Sequence, residues 1–185
     1  VASKPISIAL LANFGDSGLE RVNFEVYSSD EDNQAEVIHC QGYAEITKKV
    51  MALTHNLDEL KTRMCHGELT SKVVYDKFSA MGLHYGPSFR GIETLFQGDF
   101  EVLAKVKLSK LADNTDFILH PAIMDNALQA SIGLNLEKSD QDTPRLPFAL
   151  DSVHIHDRCD SQIWVGVRLA KGYSPSDSLF KLDIE

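Results

Sequence analysis

The chain has 185 residues, is 43% hydrophobic and 24% charged, and carries a net charge of −9, the balance of a globular protein with a core rather than of a disordered segment. Its acidic excess leaves no basic footprint, which argues against nucleic acid and against an anionic membrane surface as partners. The longest apolar runs are far too short to span a bilayer, and no signal-peptide pattern opens the chain.

Ile6, Ile8, Leu10 and Ala12 alternate with other residues as a strand does, and Gly15-Asp16-Ser17-Gly18 reads as a turn. Val22, Phe24 and Val26 alternate again up to a polar loop at residues 28–33, and a third strand places Ile38, Cys40, Ala44 and Ile46 on one face. Residues 1–46 therefore predict a three-stranded antiparallel meander with one apolar face and no helix to cover it. Residues 47–69 turn polar and are expected to link two units, with Asn56 and Glu59 forming a capping box for a short helix that carries Leu57, Leu60 and Met64.

Ser71 is placed to cap a further helix whose buried face is Val74, Phe78 and Met81 and which Gly82 ends. Gly86-Pro87 is a turn signal directly after Tyr85. Strand patterns follow at residues 92–96 and, beyond a turn at Gln97-Gly98, at Phe100, Val102, Ala104, Val106 and Leu108. Pro121 then opens a helix whose apolar face is Ile123, Ala127, Ala130 and Leu134, in a run continuing to Leu136. A polar loop at residues 137–147 precedes a predicted hairpin of residues 148–156 and 163–169 across Asp157-Arg158-Cys159-Asp160, and one more strand falls at residues 179–184. A long apolar helix amid antiparallel strands implies an α+β arrangement in which a curved sheet wraps the helix. The chain begins at Val1 and stops within a strand pattern, so a piece of a longer polypeptide is expected.

Chemistry concentrates on the helix that follows His120-Pro121. Asp125 lies within its apolar run, and Gln129 at i+4 shares its face and can touch it. A carboxyl in a mostly buried helix must be hydrogen-bonded, paired or neutral. Such a group can act as a general acid; equally, an aspartate here can cap the helix start or face water. If the sheet wraps the helix, the Tyr85 turn approaches the same place and offers a hydroxyl; the plainer alternative is a tyrosine at the rim. His120 packs at or caps the helix start. His154 and His156, two apart on a predicted strand, share a face, but no third ligand is evident and no metal site is assigned. The cysteines Cys40, Cys65 and Cys159 lack metal-type spacing and read as free thiols in a reducing compartment.

These residues carry a family resemblance. His120-Pro121-Ala122-Ile123-Met124-Asp125-Asn126-Ala127-Leu128-Gln129 resembles the His-Pro-x-x-x-Asp-x-x-x-Gln/His motif of polyketide synthase dehydratase domains. Tyr85-Gly86-Pro87-Ser88-Phe89 resembles that family's Tyr-Gly-Pro-x-Phe motif, and Leu146-Pro147-Phe148 its Leu-Pro-Phe segment. The resemblance implies a double hotdog fold, with residues 1–46 as the last strands of the first hotdog and 70–185 as most of the second, the C-terminal portion of the domain. It implies elimination of water from a β-hydroxyacyl thioester carried on the phosphopantetheine of an acyl carrier protein, with no cofactor bound directly. Asp125 would protonate or orient the departing hydroxyl, Gln129 would hold Asp125, and Tyr85 would hydrogen-bond near the hydroxyl. Gly86, Pro87, Phe89, His120, Pro121, Leu146, Pro147 and Phe148 would contact substrate. Neighbouring synthase domains follow in the same way, while the free thiols suggest a cytoplasmic setting and the exposed edges of an incomplete first sheet predict self-association, a homodimer being one form.

The family's His-x-x-x-Gly-x-x-x-x-Pro motif, which carries the catalytic base, does not occur in these residues. The chain alone is therefore expected to be inactive. Relatives on the same fold offer a second reading: an enoyl isomerase, a pyran-forming cyclase or a product-template domain. A non-catalytic acyl-binding module is a third.

Overall fold

The computed structural model describes residues 5–15, 18–29, 36–45, 54–110, 116–134, 146–174, 177 and 179–185. The chain divides into two compact units, Val1–Met51 and Ala52–Glu185.

The first unit is the meander that the alternation predicts. Strands β1 (Ser7–Gly15), β2 (Gly18–Ser29) and β3 (Glu36–Glu45) pair antiparallel in that order. Gly15 pairs with Gly18, whose φ of +117° suits glycine; the intervening turn residues 16 and 17 lie outside the described residues, as does Ile46. Ile8 and Leu10 lie opposite Val26 and Phe24 on one face and are 65% and 69% exposed, whereas a register shift after Val26 pairs Ile38 with Tyr27 and takes it off the face expected for it.

The second unit opens with α1 (Leu57–Arg63). Asn56 caps it, accepting from the Asp58 and Glu59 N–H groups at 3.0 and 3.4 Å. The expected capping box closes differently: Glu59 accepts from the Asn56 side-chain amide at 3.2 Å. Strand β4 (Gly67–Thr70) follows and pairs with β5 (Ile92–Gln97), so the end of the stretch expected as a linker is part of the sheet. Its first part, residues 47–53, lies outside the described residues. Strands β6 (Glu101–Lys107), β7 (Gln162–Leu169) and β8 (Leu182–Ile184) complete an antiparallel sheet in the order β4-β5-β6-β7-β8.

Helix α2 (Ser71–Ala80) begins one residue earlier than expected. Thr70 takes the N-cap position and Ser71 is the first helical residue. Its buried residues are Val74, Tyr75 and Phe78; Met81 is only partly buried, and Gly82 follows at φ +81°. Helix α3 (Pro121–Gln129) continues into a single 3-10 turn, Ala130–Gly133. Gly133 sits so close to β5 that a Cβ there would lie 2.3 Å from Leu95 Cδ2. The core joins Ile123, Ala130 and Leu134 of this helical run to Ile92, Leu95, Val102, Ala104, Val106, Val165 and Val167 of the sheet and to Val74 of α2. Burying each of the valine, leucine and isoleucine side chains contributes about 1.5–3 kcal/mol, which is what holds the helix on the sheet.

Two expectations are corrected. Phe100 does not continue the alternation of β6: it lies in the β5–β6 turn at φ +55° and is 45% exposed. Residues 148–156 form no strand, and β7 pairs instead with β6 and β8. Both edges of β7 are thus filled, which leaves the 148–156 segment no ladder to join there. His154 and His156 accordingly lose the shared strand face that suggested a ligand pair, and both are exposed.

Candidate active site

The helix carrying Asp125 starts where the sequence predicts. Pro121 is at the first turn, where its missing N–H costs nothing, and His120 is the N-cap. His120 Nδ1 accepts from the Ala122 N–H at 3.0 Å, and its ring meets Phe117 edge-on at 5.0 Å between centroids. With Nδ1 occupied as an acceptor, the neutral ring carries its proton on Nε2.

Asp125 and Gln129 meet as their spacing requires. Gln129 Nε2 donates to Asp125 Oδ2 at 2.7 Å and to the Phe89 carbonyl at 3.0 Å. Gln129 is 3% exposed, whereas Asp125 is half-buried. Both Nε2 hydrogens face acceptors, which fixes the amide orientation, and Oε1 is left buried without a partner among the described residues. A buried unpaired carbonyl costs about 1–3 kcal/mol, so the fold tolerates a penalty in keeping Nε2 on Asp125. Because a donor points at Oδ2, a proton on this carboxyl belongs on Oδ1.

The Tyr85-Gly86-Pro87-Ser88-Phe89 segment reaches the helix through its backbone. Pro87–Phe89 is a 3-10 turn that Gly86 precedes, and the Phe89 N–H returns to the Gly86 carbonyl at 3.0 Å. The Phe89 carbonyl then meets Gln129, while the Phe89 ring is 40% exposed. Tyr85 is half-buried, its ring edge-on to Phe78 at 5.0 Å and to Tyr75 at 6.3 Å. Burial, and then the Asp125 charge, raise the Tyr85 hydroxyl above its ordinary value, so it stays protonated and able to donate at neutral pH. Tyr75 is pushed up to about 12, chiefly by burial. The Asp125 charge adds to the rise at both tyrosines.

The structure therefore brings Asp125, Gln129, Tyr85, Gly86, Pro87 and Phe89 together, with His120 and Pro121 one turn before Asp125. It does not bring Leu146, Pro147 and Phe148 to this group. They lie in an irregular, exposed segment, Leu146 at 69% and Phe148 at 87%, with no hydrogen bond or ring contact to the group among the described residues. Two participants were not legible as such: Asn126, 1% exposed, and Tyr75, 3% exposed, which bond to each other at 3.0 Å behind the turn. A usable signal existed for Asn126, since it lies on one helix face with Ala122, Gln129 and Gly133, residues otherwise small or buried.

Among the described residues no group of three or more His, Cys, Asp or Glu side chains is placed to hold a metal ion, and no helix is long and apolar enough to cross a membrane. Cys40, Cys65 and Cys159 are free thiols.

Comparison with known proteins identifies the family. A family model described as the polyketide synthase dehydratase N-terminal domain matches residues 55–185. That description does not support the C-terminal placement expected from the motifs. Polyketide synthase PksM of Bacillus subtilis is 33% identical over 171 residues, 89% of this chain, and PksN of the same organism is 33% identical over 184 residues, 98% of it. The chain spans only 4% and 3% of the lengths of those synthases. A crystal structure of a trans-AT polyketide synthase dehydratase domain from Brevibacillus brevis superposes with a TM-score of 0.85 at 33% identity. It covers 100% of this chain, which in turn covers 64% of it. The antiparallel sheet on a central helix is accordingly the hotdog fold of these dehydratases, and the chain belongs to the polyketide synthase dehydratase family.

Proposed function

We propose that this chain supplies the acid half of a dehydratase that removes water from a β-hydroxyacyl thioester and leaves an α,β-enoyl thioester. The observation that carries the proposal is the Asp125 carboxyl, held on one oxygen by Gln129 at 2.7 Å while Gln129 is itself anchored to the Phe89 carbonyl. A carboxyl fixed at Oδ2 presents Oδ1 for proton delivery to the departing hydroxyl, and Tyr85 supplies a protonated hydroxyl nearby. Elimination also needs a base at the α-carbon. The histidine motif that carries it in the family does not occur in these residues, so on this reading the base would come from upstream sequence and the chain alone would be inactive. We place residues 70–185 as the second hotdog of the domain and residues 1–46 as strands of the first, because the Asp125 and Tyr85 motifs share one unit and the histidine motif is absent.

The acyl chain would arrive on the phosphopantetheine arm of an acyl carrier protein, within a cytoplasmic synthase. Tethering to the same polypeptide would give the carrier a high effective concentration, so docking against an acidic domain need not be strong. Leu146, Pro147 and Phe148 would line the acyl tunnel only once further sequence covers them.

The test uses the dehydratase domain complete with its upstream sequence and a β-hydroxyacyl pantetheine thioester, followed by mass spectrometry. Loss of one water from the thioester is the expected result. No loss of water by a folded domain would overturn the proposal in favour of an isomerase, a cyclase or an acyl-binding module.

A further inference from the structure

A second buried polar cluster stands behind the Asp125–Gln129 pair. The Tyr75 hydroxyl, on α2, donates to Asn126 Oδ1 at 3.0 Å and accepts from the Ile92 N–H at 3.1 Å. Asn126 Oδ1 also accepts from the Gly91 N–H at 2.8 Å, and Nδ2 donates to the Ala122 carbonyl at 2.5 Å. Two donors on Oδ1 and a carbonyl facing Nδ2 allow one amide orientation only. Asn126 and Gln129, one helical turn apart, thus grip residues 89–91 as a neighbouring strand would. Asn126 accepts the N–H of Gly91, and Gln129 donates to the C=O of Phe89.

Tyr75 spans the same turn from its other side. Its ring meets Tyr85, which precedes the turn, at 6.3 Å, and the guanidinium of Arg90, which follows it, lies 4.7 Å from its centroid. Gly91 fits so closely that an added Cβ would lie 2.7 Å from the Lys107 carbonyl and 2.9 Å from Asn126 Nδ2. Apolar residues at 75 and 126 would also fill this space, but they would leave the Gly91 and Ile92 N–H groups buried without acceptors and would fix no direction.

On the dehydratase reading above, we propose that Tyr75 and Asn126 are positioning residues: they set residues 89–91 against α3 so that Gln129, tied to Phe89, holds the Asp125 carboxyl in its working direction. Neither residue touches the reacting atoms. Their effect passes through the Phe89–Gln129 link.

The experiment is a double-mutant cycle in kcat and KM on the complete domain with a β-hydroxyacyl pantetheine thioester. Its members are wild type, Tyr75→Phe, Gln129→Leu and the pair. Tyr75→Phe keeps the ring against Tyr85 and Arg90 and removes only the hydroxyl. The proposal predicts that Tyr75→Phe lowers kcat at least ten-fold with KM within two-fold, and that the pair is no slower than Gln129→Leu within two-fold. A merely structural role would leave kcat per folded site unchanged, or would make the two losses multiply; either result overturns the proposal. Should Tyr75→Phe lose its circular dichroism signal, Asn126→Ser, which withdraws the acceptor from Gly91, runs through the same cycle with the same criteria. A wild-type domain that releases no water removes the dehydratase reading and this inference with it. A wild type that reacts beside an undiminished Tyr75→Phe removes this inference alone.

Discussion

Gly91→Ala is the perturbation whose size the structure defines best. A methyl group at this position would sit 2.7 Å from the Lys107 carbonyl oxygen, 2.9 Å from Asn126 Nδ2 and 3.1 Å from Asn126 Cγ. None of these can swing aside: the first is backbone and the others belong to an amide that is 1% exposed and bonded at both ends. Overpacking of this kind costs about 1–3 kcal/mol. Relief by backbone movement would lengthen the Gly91 N–H bond to Asn126 at 2.8 Å and the Lys107 N–H bond to the Gly91 carbonyl at 2.8 Å. Each such bond is worth about 1 kcal/mol. The expected loss is therefore about 2–4 kcal/mol, equivalent to a fall in Tm of roughly 10 °C for a domain of this size. Thermal melts followed by circular dichroism measure it, with Gly166→Ala as control. Nothing lies within 4 Å of a Cβ at Gly166, so that change should move stability by no more than about 0.5 kcal/mol. A Gly91→Ala protein melting within 3 °C of wild type, on the order of 1 kcal/mol, would refute the packing argument and the clamp built on it.

Gln129→Leu removes both donor bonds and the unpaired Oε1 together, so its stability in urea should change by less than about 1 kcal/mol while kcat for water loss falls at least ten-fold. His120→Ala removes the acceptor that caps α3 and should cost about 0.5–2 kcal/mol in thermal or urea unfolding, with His120→Asn restoring most of it. Tyr75 titrates at about 12 when folded and near 10 when unfolded, so its share of stability is present below pH 10 and is lost as pH rises through 12. Urea midpoints taken through this range should fall with pH, and less steeply for Tyr75→Phe.

The residues that proved legible were those whose role follows from spacing. Asp125 and Gln129 touch because i and i+4 share a helix face, and Pro121 starts the helix because its ring and missing N–H suit that place. The meander was legible because alternation has one meaning when three runs follow one another. Alternation misled where tertiary pairing decided: Phe148, Leu150, Val153 and Ile155 look like a strand, yet β7 already has β6 and β8 on its two edges. The turn was expected at the helix through the Tyr85 hydroxyl, and it is the Phe89 carbonyl that makes the bond. A side chain can be read from a sequence, whereas the direction of a backbone carbonyl depends on the fold. Asn126 and Tyr75 stayed hidden for a related reason, since a polar residue is buried only when specific backbone donors, here those of Gly91 and Ile92, await it.

The most direct test of the central claim is single-turnover dehydration by the complete domain and by its Asp125→Asn variant, with thioester binding measured alongside. Asparagine keeps the shape of the side chain and an oxygen for Gln129 but has no acidic proton to deliver. The account predicts that Asp125→Asn binds the β-hydroxyacyl thioester within a few-fold of wild type and loses at least 10²-fold in the rate of water release, within the range attributed to a general acid, about 10²–10⁴. A variant that binds the thioester and releases water at the wild-type rate would contradict it.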